Sequence, residues 1–156
     1  MAMQYDVKSA HMSASGVAVT YRTRLKGAIV SANASAAARN TVYANNLAQT
    51  GTYGRSTNTV TVTINAHGLA TGDRVWLSFS AGTGGTATTN VYSVTVSNAN
   101  TFTVTDAASG TITGSPAVTM YADLLLEADS YNPTAFNVII PGEGIMAENG
   151  IYVGLV

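Results

Sequence analysis

The chain has no cysteine among its 156 residues, which excludes disulfides and thiolate metal ligands and leaves the redox compartment unread. Charge is also scarce. Asp, Glu, Lys and Arg make up 10% of the sequence, against roughly a quarter in an average soluble protein. With a net charge of −1 there is no basic surface to displace counterions, so general nucleic-acid binding is not expected. Long apolar runs are missing too. Val138–Ile140 and Leu124–Leu126 are among the longest, far short of a membrane span, and polar Met1–His11 lacks the basic-then-apolar order of a signal peptide. Neither feature is expected. What is present is a 46% hydrophobic content, enough for a core, with polarity supplied mainly by Thr, Ser and Asn. A small β-protein of low charge buries little surface alone, which points toward assembly with neighbours.

The stretch Asn58–Thr105 alternates strictly. Val60, Val62 and Ile64 share one parity and Thr59, Thr61 and Thr63 the other, the period of a half-buried strand. Val75, Leu77 and Phe79 repeat it against Arg74, Trp76 and Ser78. Tyr92, Val94 and Val96 follow against Ser93, Thr95 and Ser97, and Phe102 and Val104 continue the series. His67-Gly68, Thr71-Gly72-Asp73 and Asn98-Ala99-Asn100 stand between these runs as turn signals. Four short strands, each with one apolar face, predict a compact antiparallel module.

The flanks are looser. Val17–Val30 reads as one long strand or as two broken at Gly27, with Arg22, Arg24 and Lys26 on the parity opposite Tyr21 and Leu25. Those three cations are either a solvated face or a contact stripe for an acidic partner surface. Ala34–Ala38 suits a helix, yet Asn40–Tyr43 is β-prone, so a loop and a short strand near Arg39–Ala44 are expected. Thr50–Thr57 and Thr105–Pro116 read as flexible joints on either side of an inserted domain. Strands resume at Val118–Tyr121, Leu124–Ala128 and Phe136–Ile140, followed by a Pro141-Gly142-Glu143-Gly144 turn. Asn149-Gly150 has the composition of a tight hairpin between Ile145–Glu148 and a last strand. That strand ends on Leu155 and Val156, apolar residues expected to be buried or covered by a partner.

Chemistry is hard to find. His67 has no partner at metal-ligand spacing and is expected to hydrogen-bond the backbone of its own turn. A nucleophilic site would need a Ser, a His and a third orienting group, and nothing singles out one Ser. Asp123, Glu127 and Asp129 cluster in sequence without the glycine-turned spacing of an EF-hand, and a solvated face is the simpler reading. Asp73 is expected to cap its own turn. Ala81–Gly85 lacks the Lys-Ser/Thr of a nucleotide loop. Trp76, on the presumed outer face, is either a contact residue or a cover for one open edge of the module. No catalytic residue, metal or cofactor is assigned.

The residues Ala66-His67-Gly68-Leu69, Thr71-Gly72-Asp73 and Asn100-Thr101-Phe102-Thr103-Val104 resemble a small β-module of tailed-bacteriophage structural proteins. That module is itself likened to the first catalytic cysteine half-domain of ubiquitin-activating enzymes, a small barrel; a chain without cysteine carries none of that chemistry. The flanks Arg24-Leu25-Lys26-Gly27, Ile140–Ile145 and Gly150-Ile151-Tyr152-Val153 are similar to small virion proteins of tailed, cyanophage-like phages, which are short β-sandwiches. The strand pattern and the two joints give a split host domain, residues 1–55 and 120–156, with a module inserted at 56–119. The resemblance implies an all-β fold in which the host is an antiparallel, jelly-roll-like β-sandwich and the module is β-barrel-like. It implies a non-enzymatic virion protein, decorating or cementing the capsid, with the major capsid protein or other virion proteins as partners. A homo-oligomer, trimers included, is expected, with no nucleic acid and no membrane. Arg22, Arg24, Lys26, Trp76, Leu155 and Val156 are the candidate contacts. The rival readings are a tail hub, adaptor or fibre-attached component, a carbohydrate-binding module with Trp76, Tyr92 and Tyr53 as an exposed aromatic strip, and a glycan hydrolase.

Overall fold

The computed structural model describes residues 9–31, 38–43, 47–130 and 134–155, and every regular element among them is a β-strand. The chain is all-β with antiparallel sheets.

The largest sheet has seven strands. In chain order they are β5 (Gln49–Ser56), β6 (Thr59–Thr63), β7 (Arg74–Phe79), β8 (Asn90–Ser93), β9 (Thr95–Asn98), β10 (Thr101–Thr105) and β11 (Ala117–Tyr121), arranged β8-β7-β11-β5-β6-β10-β9. The predicted run Tyr92–Val96 is thus two strands, broken at Val94. These strands are the two edges of the sheet, so a sheet whose edges are joined through one residue curls almost into a closed barrel. Phe102 pairs with Val62 and Val104 with Val60, placing the apolar parity inside and Thr59, Thr61 and Thr63 outside. The interior holds Val60, Val62, Val75, Leu77, Val94, Phe102, Val118 and Met120, all buried.

The expected flexible joints are not joints. Thr50–Ser56 lies within β5, near the middle of the sheet, and β5 pairs directly with β11, Ala117 opposite Thr52. Residues 106–116 return to β5 through backbone bonds from Arg55 to Ile112 and from Tyr53 to Pro116. Gly and Thr in 50–57 suggested a connector because the sequence does not show that neighbouring backbones need close approach there. A Cβ on Gly51 would lie 2.0 Å from the Thr63 carbonyl oxygen. The barrel sheet therefore spans Gln49–Tyr121.

The flanks form a second layer. Strands β1 (Gly16–Val19), β4 (Ala38–Tyr43), β12 (Leu124–Ser130) and β15 (Ile151–Leu155) make a sheet in the order β1-β15-β4-β12. Strands β2 (Thr23–Leu25) and β3 (Gly27–Ser31) pair with β14 (Ile145–Ala147) and β13 (Ala135–Ile139) as two short ribbons. Asn149-Gly150 does not close a hairpin. It carries the chain from β14, paired with β2, to β15, paired with β1 and β4.

The two layers meet around Trp76. On the host sheet Tyr43 pairs with Tyr152, and the two pack with Trp76 and Val91 of the barrel in one buried cluster. Tyr121 stacks on Tyr152 with ring centroids 3.6 Å apart. A Cβ on Gly154 would come within 2.5 Å of the Trp76 ring, so glycine there lets the sheet lie against the indole. The opposite face of the host sheet buries Val42 with Ala147 and Ile151.

Candidate contact surfaces

The motif residues hold the barrel shut. Gly72 donates its N–H to the Val94 carbonyl at 2.9 Å, and Val94 donates to Asp73 O at 3.0 Å. The Thr71 hydroxyl accepts from Val96 N–H. All three bonds grip the break between β8 and β9 that lets the sheet close. Asp73 caps its turn as expected, its carboxylate accepting from Ala70 N–H at 2.8 Å. His67 is buried edge-on against Phe102. Its Nδ1 accepts from Leu69 N–H at 3.0 Å while Nε2 lies 2.9 Å from the Asn98 carbonyl, an arrangement suited to a neutral ring with its proton on Nε2. The Asn100 amide oxygen accepts from Ala66 N–H. The His-Gly-Leu and Thr-Gly-Asp loops are clamps on residues 94–100.

A buried ion pair closes the barrel's far end. Arg55 and Asp106 are 7% and 1% exposed and meet at 2.6 Å. Arg55 also donates to the Gly110 and Ser109 carbonyls, while Asp106 accepts from Thr88 and Ala108 N–H. Burial alone would push the Asp106 carboxyl up, but the bonds from Thr88, Arg55 and Ala108 hold it below the usual carboxylate range. A cavity of about 330 Å³ lies beside it, lined by Thr88, Tyr92 and Thr105. With both oxygens engaged, this acid is built to hold three segments together. Neither partner stood out in the sequence; Arg55 lay in a supposed connector and Asp106 just past a strand.

The acids of β12 are likewise occupied. Glu127 takes both Arg74 of the barrel and Arg39 of β4, and Arg39 also binds Asp129 at 2.8 Å. The Arg39 hydrogen bond holds the Asp129 carboxyl below its ordinary value. This ladder crosses from layer to layer. No group of three or more His, Asp or Glu among the described residues could hold a metal ion.

The candidate contacts fare unequally. Trp76 is 2% exposed, and the reading of it as an outer contact is corrected: it faces away from the barrel interior but into the host sheet. Tyr53 and Tyr92 are buried as well, so the three rings do not form an exposed strip. Arg22, Arg24 and Lys26 are exposed, but on no single strand. Arg22 precedes β2 and Lys26 follows it. Each reaches toward the returning chain: Arg22 to Glu148 at 2.7 Å, Arg24 to the Glu143 carbonyl at 3.4 Å and Lys26 to the Gly142 carbonyl at 2.7 Å. Leu155 is half-buried, its N–H and carbonyl both bound by the Ser15 hydroxyl. Val156 lies outside the described residues.

The surface that sequence reasoning missed is on the β3–β13 ribbon. Ile29 lies opposite Asn137, and Ile139 opposite Gly27, on one face. They are 78% and 75% exposed, while Val30, Phe136 and Val138 on the other face are at least partly covered. The signal was available: Ala28-Ile29-Val30 and Val138-Ile139-Ile140 are apolar on both parities, so one parity must stay bare unless both faces are covered.

Comparison with known proteins adds no relative: no family model, curated protein or solved structure matches the chain.

Proposed function

We propose that this chain is a non-enzymatic structural protein of a tailed-phage virion, decorating or cementing the capsid through repeated symmetric contacts. The observation that carries the reading is how the motif residues are used. His67, Thr71, Gly72, Asp73 and Asn100 are spent on closing the module, while the two most exposed large apolar side chains among the described residues, Ile29 and Ile139, lie on a separate ribbon. In this reading the four-stranded sheet and its ribbons form a sandwich-like anchor against the major capsid protein, and the barrel is the projecting part. One such contact need not be tight, because many copies on a lattice supply avidity. The carbohydrate reading that relied on an aromatic strip loses its stacking surface.

The test is copy number per particle, by quantitative mass spectrometry of purified virions against the major capsid protein. About one copy per capsid subunit, or per three, supports decoration, whereas about six to twelve copies move the protein to the tail or portal vertex. Absence from the particle overturns the virion reading.

A further inference from the structure

The barrel wall turned outward on β5, β6 and β10 carries hydroxyls and no charge. Thr52, Thr63 and Thr101 stand in one cross-strand row, Gly54, Thr61 and Thr103 in the next, and Ser56, Thr59 and Thr105 in a third. Thr on a solvated strand face is ordinary, and the array alone says nothing about a ligand. One part of it, however, is built into a groove. Ile112 and Pro116 both bond to the β5 backbone, and Thr113, Gly114 and Ser115 loop out between them, Thr113 pairing with Thr83. This loop is the wall of a depression of about 350 Å³ whose other lining includes Thr52, Gly54, Thr61 and Thr63.

The wall is strained. Ser115 has φ of +50° although it precedes Pro116, whose ring disfavours helical conformations in the residue before it. A conformation of that kind is costly and is held only where the surroundings impose it. The floor is open for a definite reason: Gly54 has no side chain, and an added Cβ would find only the Ile112 carbonyl, at 3.4 Å.

The chemistry narrows the occupant. Arg55, the one charged residue of β5, turns inward to Asp106, so the lining offers no cation for a phosphate or carboxylate. Strand β6 is paired on both sides, so no free strand edge is offered at that rail for an extended peptide. The buried Tyr53 ring gives no stacking platform. What remains is a set of hydroxyls, each donor and acceptor at once, on Thr side chains whose branched Cβ keeps them stiff.

We infer that the groove over Gly54, between Thr61, Thr63 and the Thr113–Ser115 loop, is a binding site for a neutral, hydroxyl-rich ligand, a saccharide chain. Hydroxyl bonds exchanged with water contribute little each, so one site binds weakly and repeated display supplies the avidity. Without charges, binding is insensitive to salt. The inference stands independently of where the protein sits on a particle.

The experiment displays the full chain densely on fluorescent beads and reads them on an array of neutral and acidic glycans at low and high salt. Retention on neutral glycans, unchanged by salt, is expected. Gly54→Leu, which fills the floor, lowers it at least about tenfold, equivalent to about 1.4 kcal/mol, while emission from the distant Trp76 reports that the fold is intact. Thr61→Val keeps the shape, removes one hydroxyl and lowers retention by a smaller factor; it is the deciding variant if Gly54→Leu does not fold. No retention on any neutral glycan, retention confined to acidic glycans and lost in salt, or neutral retention that both folded variants keep would overturn the proposal.

Discussion

In the barrel, β5 pairs with β6, β7 with β8 and β9 with β10, each a near neighbour in sequence, and one apolar parity faces a single interior. In the flanks, residues 16–31 find their partners at 135–155, across the whole chain. Local pairing carries a smaller loop-closure cost, so these three pairings are written nearby, while β6 with β10, β7 with β11 and β5 with β11 join more distant segments. The four-stranded flanking sheet packs on both faces: Trp76 and Val91 of the barrel join Tyr43 and Tyr152 on one, and the smaller Val42, Ala147 and Ile151 cluster lies on the other. A self-contained core beside a borrowed one predicts unequal responses to substitution.

The largest effect should come from the barrel's own latch. Asp106→Ala leaves Arg55 buried without its counter-charge, and about 3–5 kcal/mol of stability should be lost in urea unfolding. Replacing both partners, Asp106→Leu with Arg55→Met, should recover most of it, because no charge then remains buried. If the double variant is as unstable as the single one, the latch acts through its backbone bonds and not through its charge.

Trp76→Ala tests the border between the layers. About 3 kcal/mol should be lost, the lower end for a buried aromatic, because two layers can close partly on the gap. The host sheet should melt first and the barrel later, seen as separate transitions by circular dichroism. A single cooperative loss would erase the distinction between the two regions.

Acid should weaken the barrel through the same latch. The folded Asp106 carboxyl lies below its unfolded value, so between the two the unfolded chain binds more protons and stability falls as pH drops. Its contribution is complete above about pH 4 and drains as pH falls through the folded value. Asp129, held low by Arg39 but well exposed, adds a shallower share. Urea midpoints measured against pH should show a flatter acid limb for Asp106→Asn than for the natural chain.

The smallest effect is expected at Tyr43. Its buried hydroxyl makes no well-formed hydrogen bond among the described groups, since the nearby Thr41 hydroxyl gives its proton to the Gly154 carbonyl. Burial, foremost, pushes the phenol above the ordinary value, and Thr41 only partly offsets it. Tyr43→Phe should therefore leave stability within about 0.5 kcal/mol or raise it slightly, as read by thermal melts. A clear loss would mean that the hydroxyl is satisfied in solution and that the two layers share a polar contact.

Much of the barrel was legible because alternation at Val60–Ile64 and Val75–Phe79 has only one sensible inside. The turn roles of His67 and Asp73 were legible for a related reason: a lone imidazole or carboxylate at a tight turn has backbone groups within reach. The β5 strand was not, since Gly51 and Gly54 look like flexibility until the neighbouring backbone is in place. Nor was Trp76, because parity gives the face of a strand but not what lies against it. The groove over Gly54 was invisible for the same reason; its wall comes from residues about sixty positions away, as Gly54 and Gly114 number them.

Strand period, turn residues and composition are local properties, and they are enough to specify a β-protein with one self-sufficient, low-charge module. Three further features wait on the folded chain: one of the module's supposed joints is its central strand and the other is tied back to it, its tryptophan is the floor of a second layer, and a cation and an acid meet inside it. Those outcomes depend on which distant backbones come together, and burial, not residue type, then sets whether a ring or a charge serves as surface or as core.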